Sequence, residues 1–182
     1  SPGEDEGAIL ADPFYNYVSL LLPMNGSNNS TTFADKSQNA KTITPSGDAK
    51  LLTAVKRYGT ASAYFDGTGD GISTADVAIG TGDFTIEMWI NTTSATRYAQ
   101  LIGNEGVAGF TLLINNDSAS DGKIAIYIGG GLRASTTTTG YNDGKWHHVA
   151  VTRAGTAITI WIDGASAGTG TASTTMTGAS DI

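Results

Sequence analysis

The chain is expected to fold as an all-β protein, a two-sheet antiparallel β-sandwich, and three observations carry that expectation. Apolar residues alternate with polar ones at a period of two in several separate runs, as half-buried strands require. Turn-forming residues fall between those runs. Twenty-four glycines stand beside only four prolines, with abundant Thr, Ser and Ala, which favours short strands and tight turns over long helices. At 182 residues the polypeptide can bury a sizeable core as one main domain.

Taken in order, residues 1–12 carry Glu4, Asp5 and Glu6 and read as an acidic lead-in or linker, leaving residues 13–182 for the sandwich. Val18 to Leu22, bounded by Pro23 and Asn25-Gly26, reads as the first strand. A polar loop from Ser27 to Asn39 follows, then short strands at Thr42 to Thr44 and Ala49 to Leu52. Small residues alternate from Ala61 to Phe65 before an Asp66-Gly67 turn. From Phe84 the period is clear: Phe84, Ile86, Met88 and Ile90 point one way, Thr85, Glu87 and Trp89 the other, as in a central strand. Phe110, Leu112 and Ile114 repeat the pattern, as do Ile124, Ile126 and Ile128. Trp146, His148, Ala150 and Thr152 share a face opposite His147, Val149 and Val151, and Ile158, Ile160 and Ile162 alternate with Thr159 and Trp161. Trp89 and Trp161, lying inside strands, read as packing groups. Turns are expected at Asn116-Asp117, Asp121-Gly122, Gly129-Gly130-Gly131, Asn142-Asp143-Gly144 and Asp163-Gly164. The final Thr- and Ser-rich run shows no terminating element.

Charge and composition remove several functions. Ten Lys+Arg against 17 Asp+Glu give a net charge of -7, the wrong sign for neutralising phosphates, so no nucleic-acid partner is expected. No stretch has the length and apolarity of a membrane span and no basic amphipathic segment occurs, so no membrane insertion is expected. The absence of cysteine excludes disulfides, thiolate zinc sites and cysteine nucleophiles together.

The remaining chemistry is sparse. A glycosidase needs two carboxylates flanking the sugar bond. In Ile86-Glu87-Met88-Trp89-Ile90 the positions beside Glu87 carry Met and Trp, so no catalytic residue is assigned and the protein is not expected to be an enzyme. His147 and His148 are neighbours on a strand, point to opposite faces and cannot share a metal. Gly129-Gly130-Gly131 lacks the following Lys-Ser/Thr of a phosphate loop and reads as a turn. Asp66 and Asp70 flank Gly67-Thr68-Gly69, a turn that can gather carboxylate oxygens around calcium, with Asp35 as a third candidate; the competing reading is capping of turn amides. For sugar, the equipment is an aromatic platform with amide and charged partners: Tyr98 beside Arg97, and Tyr141 beside Asn142 and Asp143, with Asn104 and Asn115 as further amides.

Five segments carry a family resemblance. Thr31-Thr32-Phe33-Ala34-Asp35, Tyr64-Phe65-Asp66-Gly67-Thr68-Gly69-Asp70, Gly82-Asp83-Phe84-Thr85-Ile86-Glu87, Trp146-His147-His148-Val149-Ala150 and Ile162-Asp163-Gly164 follow one another in the order seen in laminin-G-like domains. The chain resembles that group of the concanavalin A-like lectin/glucanase superfamily, from about Asp12 to the end. The resemblance implies a jelly-roll sandwich, favours calcium at the Asp turn, and is similar to modules of phage tail, fibre and other virion proteins. It also implies one more strand after Ser180-Asp181-Ile182, so the closing strand is expected beyond Ile182. The function so implied is a non-catalytic glycan-binding or adhesive module, extracellular or on a virion surface. Its expected partners are a cell-surface glycan or polysaccharide and other virion subunits, in a homo-oligomer. The alternatives are a purely structural virion module without ligand and, behind it, a carbohydrate-active enzyme.

Overall fold

The computed structural model describes residues 12–75, 77, 79–103 and 109–174. It is all-β, as expected, with one 3-10 turn among the described residues, at Tyr15–Tyr17. The chain divides into two compact units, Ser1–Val77 and Ala78–Ile182.

The first unit holds β1 (Ile43–Ser46), β2 (Lys50–Leu52), β3 (Ser62–Tyr64) and β4 (Gly71–Thr74) in two antiparallel pairs, β1 with β4 and β2 with β3. Phe33, Ala49, Leu51 and Ala61 form its small core. The run from Val18 to Leu22 is not a strand. Its backbone is satisfied differently: Leu21 N–H donates to the Asp35 carboxylate (2.9 Å) and Leu21 C=O accepts from Lys36 N–H (2.8 Å), so no ladder partner is needed.

The second unit holds two four-stranded antiparallel sheets. One runs in the order β12 (Ala165–Thr171), β11 (Ala157–Ile162), β10 (Trp146–Ala154), β5 (Phe84–Asn91). The other runs β6 (Ala99–Gly103), β7 (Phe110–Ile114), β8 (Ile124–Ile128), β9 (Gly131–Ser135). Their alternating apolar residues meet in one core, with Ile90, Val149, Val151, Ile158, Ile160 and Ile162 from the first sheet against Phe110, Leu112, Ile114, Ile124, Ile126 and Ile128 from the second. This is the expected sandwich, with the same residues inward. Ala165–Thr171, where the sequence offered no apolar alternation, supplies β12.

Side-chain capping closes several of the turns. Asp83 accepts from Gly155 N–H (2.7 Å), and buried Arg153 donates to the carbonyls of Gly82 (2.8 Å) and Gly80 (3.0 Å), tying the entry of β5 to the β10–β11 turn. Asp163 accepts from His148 N–H (2.8 Å) at the start of the β11–β12 hairpin. Trp89 and Trp161 are not core packing groups: they stand on the outer face of their sheet, where Trp161 is 36% exposed and its Nε1–H donates to Thr152 Oγ1 (3.0 Å). The strand period explains this, because the inward positions of β5 and β11 are already filled by the isoleucine series.

Candidate functional site

Outward residues of β6, β7 and β8 build an open groove of about 470 Å3 on the second sheet of the Ala78–Ile182 unit. The strand period that sends Phe110, Leu112 and Ile114 into the core turns Thr111 and Leu113 outward, where Thr111 lies opposite Tyr127 and Gln100 lies opposite Leu113. Bulges between Gln100 and Ile102 and between Ile126 and Tyr127 break the register on both sides of this face. Tyr98, Gln100, Thr111, Leu113 and Tyr127 line the groove together with Gly109, Phe110 and Gly130. Among the described residues every lining side chain is aromatic, apolar or uncharged polar, a set suited to stacking against a ring and hydrogen-bonding its hydroxyls.

Tyr98 is the overhanging member, 47% exposed and held at φ +57°, a left-handed backbone that costs about 1 kcal/mol or more for a residue with a Cβ. Arg97 fixes its outer end: Nη2 donates to the Tyr98 hydroxyl (2.7 Å) and the guanidinium carbon lies 4.4 Å from the ring centroid. On the far side the Tyr127 hydroxyl donates to Asn116 Oδ1 (2.9 Å), while Asn116 Nδ2 donates to Asp117, itself paired with Lys123 at 2.5 Å. Burial pushes the Tyr127 phenol up from its ordinary value, so it stays a neutral donor.

Of the residues expected to contact sugar, Tyr98 and Arg97 therefore stand at the groove. Tyr141 does not. It is half-buried against the core, its ring edge-on to His147 at 5.5 Å. Asn142 donates to Ser94 C=O (3.0 Å) and Asn115 Oδ1 (3.4 Å), and Asn115 is fully buried, so both amides are engaged by the surrounding loops. Asn104 lies outside the described residues. Gln100, Thr111 and Tyr127 were not singled out from the sequence, since the polar half of an ordinary strand alternation has no distinguishing signal.

The carboxylates gather differently from the expected set. Oxygens of Asp48, Asp66 and Asp70 lie within 4.8 Å of one another in the first unit. Asp35 is not among them. Its buried carboxylate accepts from Leu21, Ser37 and Lys41 N–H groups, which outweigh the opposing effect of burial and hold its pKa below the ordinary value. Asp70 accepts from Asp66 N–H and Asp48 N–H, both at 2.8 Å, and Asp66 from Thr68 N–H at 2.7 Å, so the Asp-Gly turns are capped as described above for Asp83. The donor set is nevertheless hard oxygen, the chemistry calcium takes, and a capping carboxylate oxygen retains a second lone pair.

His147 sits between two carboxylates. Its Nδ1 is 2.8 Å from Asp163 and its Nε2 is 3.2 Å from Asp143. Burial alone would lower its pKa, but the bonds to Asp163 and Asp143 outweigh that and raise it above 6.5, while Asp143 is drawn down to about 2, first by Lys145. A raised histidine pKa stabilises the fold below the unfolded value and loses that contribution as pH rises through the folded value. The melting temperature is therefore expected to fall as pH rises from about 6.5 through the raised folded-state value, with a shallower slope in His147→Gln; identical slopes for the two proteins would remove His147 as the cause.

Glu87, on the outer face of the other sheet, is 64% exposed and 3.6 Å from His148 Nε2. The outward neighbours of Glu87 on β5 and β10 are Thr85, Trp89, His148, Ala150 and Thr152, and none supplies a second carboxylate.

With this geometry in place, residues 66–181 match the laminin-G-type family model of the concanavalin A-like lectin/glucanases superfamily. The chain belongs to that superfamily. No protein of curated function matches it. Among solved structures, this superfamily member is similar to domain 4 of an extracellular arabinanase from Geobacillus stearothermophilus, solved in complex with arabinotriose, at 17% identity and TM-score 0.59 over 81% of this chain and 74% of that one. It is also similar to the receptor binding domain of the botulinum neurotoxin C/D mosaic serotype, at 17% identity and TM-score 0.57 over 79% of this chain and 38% of that one, and to an HCR/D mutant structure, at 17% identity and TM-score 0.59 over 85% and 39%. The chain thus spans about two fifths of the length of these last two chains. At this identity the likeness establishes the fold, and function has to be read from the site.

Proposed function

We propose that this domain is a non-catalytic glycan-binding module whose ligand lies in the groove between Tyr98 and Tyr127. The observation that carries the reading is the composition of that groove: two tyrosines, a glutamine and a threonine on a sheet face with no charged side chain among the described lining residues, and Arg97 bracing the exposed ring. The solved neighbours support it as binding domains of the same fold, one of them holding a trisaccharide. A shallow groove of this kind gives weak single-site affinity, so the module works in several copies, on a virion surface such as a tail fibre or on another extracellular assembly. Glu87 without a partner carboxylate supports binding over hydrolysis.

The deciding experiment is a broad glycan array probed with a multimerised domain, followed by titration of the saccharide found. Tyr98→Ala is expected to weaken binding about tenfold, the worth of one stacked ring, with little change in melting temperature. Tyr141→Ala is expected to do the reverse, lowering the melt while leaving the affinity of the folded fraction intact. Saturable binding untouched by Tyr98→Ala would move the ligand elsewhere. Silence across host-derived polysaccharides would favour a structural module without ligand.

Calcium is a second proposal, at Asp48, Asp66 and Asp70 rather than at Asp35. A cation bound only by the folded state stabilises it by mass action, so chelation is expected to lower the melting temperature and Asp66→Asn to abolish that sensitivity. A melt unchanged by chelator would leave turn capping as the whole role of these carboxylates.

A further inference from the structure

We propose that Asn115, with Asn142 behind it, is the positioning residue that presents Tyr98 to the groove, an inference that rests on the glycan-binding reading above. Asn115 follows β7 directly, is 0% exposed, and adopts φ +63°, a left-handed turn conformation that asparagine tolerates better than most residues. Its amide nitrogen donates twice into the loop that precedes Tyr98, to Ser94 C=O (2.9 Å) and Thr96 C=O (2.8 Å). Its own backbone C=O accepts from Tyr98 N–H (3.1 Å). Its side-chain oxygen accepts from Gly122 N–H (2.9 Å) and is 3.4 Å from Asn142 Nδ2, which also reaches Ser94 C=O at 3.0 Å. One buried side chain therefore clamps three loops, 92–98, 115–122 and 140–144.

The clamp matters because packing covers only about half of Tyr98. Nearly half of it is exposed, its backbone is in a region disfavoured for a residue with a Cβ, and its ring contacts on the exposed side come from Arg97 on the same loop. Released from Asn115, residues 94–98 are free to relax toward ordinary backbone angles, and the ring leaves the groove mouth. Holding the loop in advance spares the ligand the entropy of ordering it, which is the usual gain from preorganisation. Gly122 completes the arrangement. At φ +67°, a Cβ there would lie 2.5 Å from Asn142 Oδ1 and 2.6 Å from Tyr141 N, so only glycine lets the three loops meet.

The test uses the whole chain and two variants. Asn142→Ala removes the outer support and keeps Asn115; Asn115→Asp keeps the acceptor for Gly122 and removes both donors to the Ser94 and Thr96 carbonyls. In free protein, hydrogen exchange of the Tyr98 amide is expected to quicken about tenfold in Asn142→Ala and more in Asn115→Asp, with the β10 core amides of Val149 and Val151 unchanged in the former. With arabinotriose, cellotriose and the best array saccharide as probes, Asn142→Ala is expected to weaken binding severalfold in the wild-type background and not at all in Tyr98→Ala. A general loss of stability would act equally in both backgrounds, so that pattern separates positioning from fold maintenance. Wild-type binding that persists unchanged in both variants, with Tyr98 exchange also unchanged, overturns the positioning role alone. No binding of any probe by the wild-type chain overturns the groove reading and the role with it, even if Tyr98 exchange responds.

Discussion

Arg153→Met is expected to destabilise the protein by about 3 kcal/mol, lowering the melting temperature by roughly 6–12 °C for a chain of this size. Arg153 ends β10 on its core side, 3% exposed, opposite Phe84 on β5 and Ile158 on β11. Its guanidinium lies 5.1 Å from the Phe84 ring centroid and donates to the carbonyls of Gly80, Gly82 and Thr174. Methionine matches the stem and supplies no donor. Three carbonyls then lose their partners, each costing about 1–3 kcal/mol where water cannot replace the donor and less at the exposed Gly82. Arg153→Lys should recover only part of the loss, since one ammonium cannot span the spread of acceptors that the planar fork reaches. Calorimetry of the three proteins checks the order wild type, Lys, Met. A methionine variant melting within about 2 °C of wild type would mean that water already serves those carbonyls.

The same contacts explain which parts of the fold could be read in the sequence. Arg153 and Asp83 cap one another's turns across 70 residues, so Gly82-Asp83-Phe84 and Arg153-Ala154-Gly155 close one end of the sandwich together. Strands with one buried face, such as β5, β7, β8, β10 and β11, announce themselves by alternation. Strands β6, β9 and β12 do not. Ala165 to Thr171 carries no apolar alternation because its inward positions are glycines, which allow close approach rather than add apolar area. Val18 to Leu22 errs in the opposite sense, an apolar run whose backbone is satisfied by the Asp35 carboxylate instead of a neighbouring strand.

The groove was legible only at its rim. An arginine and tyrosine together in a loop between strands suggest an exposed ring, and Arg97 and Tyr98 are at the groove mouth. Tyr141 and Asn142 carry the same local signal and face inward, because the Asn115 clamp draws residues 140–144 against the core, a long-range effect invisible in a ten-residue window. Asp48 joins Asp66 and Asp70, and Asp35 does not, for a similar reason. The β1–β4 pairing brings residues 22 positions apart into hydrogen-bond contact, whereas Asp35 is consumed by its own turn.

Gly170→Ala is expected to cost about 3 kcal/mol or more, the upper end of what overpacking produces, and it tests how the sandwich closes at one edge. A Cβ at Gly170 would lie 1.7 Å from Arg133 O, and one at Gly168 would lie 2.2 Å from Ser135 O, so the backbone of β12 runs directly against that of β9 in the other sheet. Thr137 N–H donates to Ala167 C=O at 2.9 Å along the same seam. Two strands that would otherwise present open edges thus cover each other, which removes a template for foreign strand pairing. Neither glycine owes its place to an unusual φ, so the penalty is steric and cannot be relieved without moving a strand. Gly164→Ala is the control: its φ of +84° is unfavourable for alanine, but nothing lies within 4 Å of the added carbon, so about 1 kcal/mol is expected. Equal destabilisation by the two substitutions would show that β9 yields easily and that the seam is loose. If it is tight, the displacement passes from β9 to β8, where Leu132 faces Tyr127 across the ladder, and the folded fraction of Gly170→Ala should bind the groove's saccharide more weakly than Gly164→Ala does.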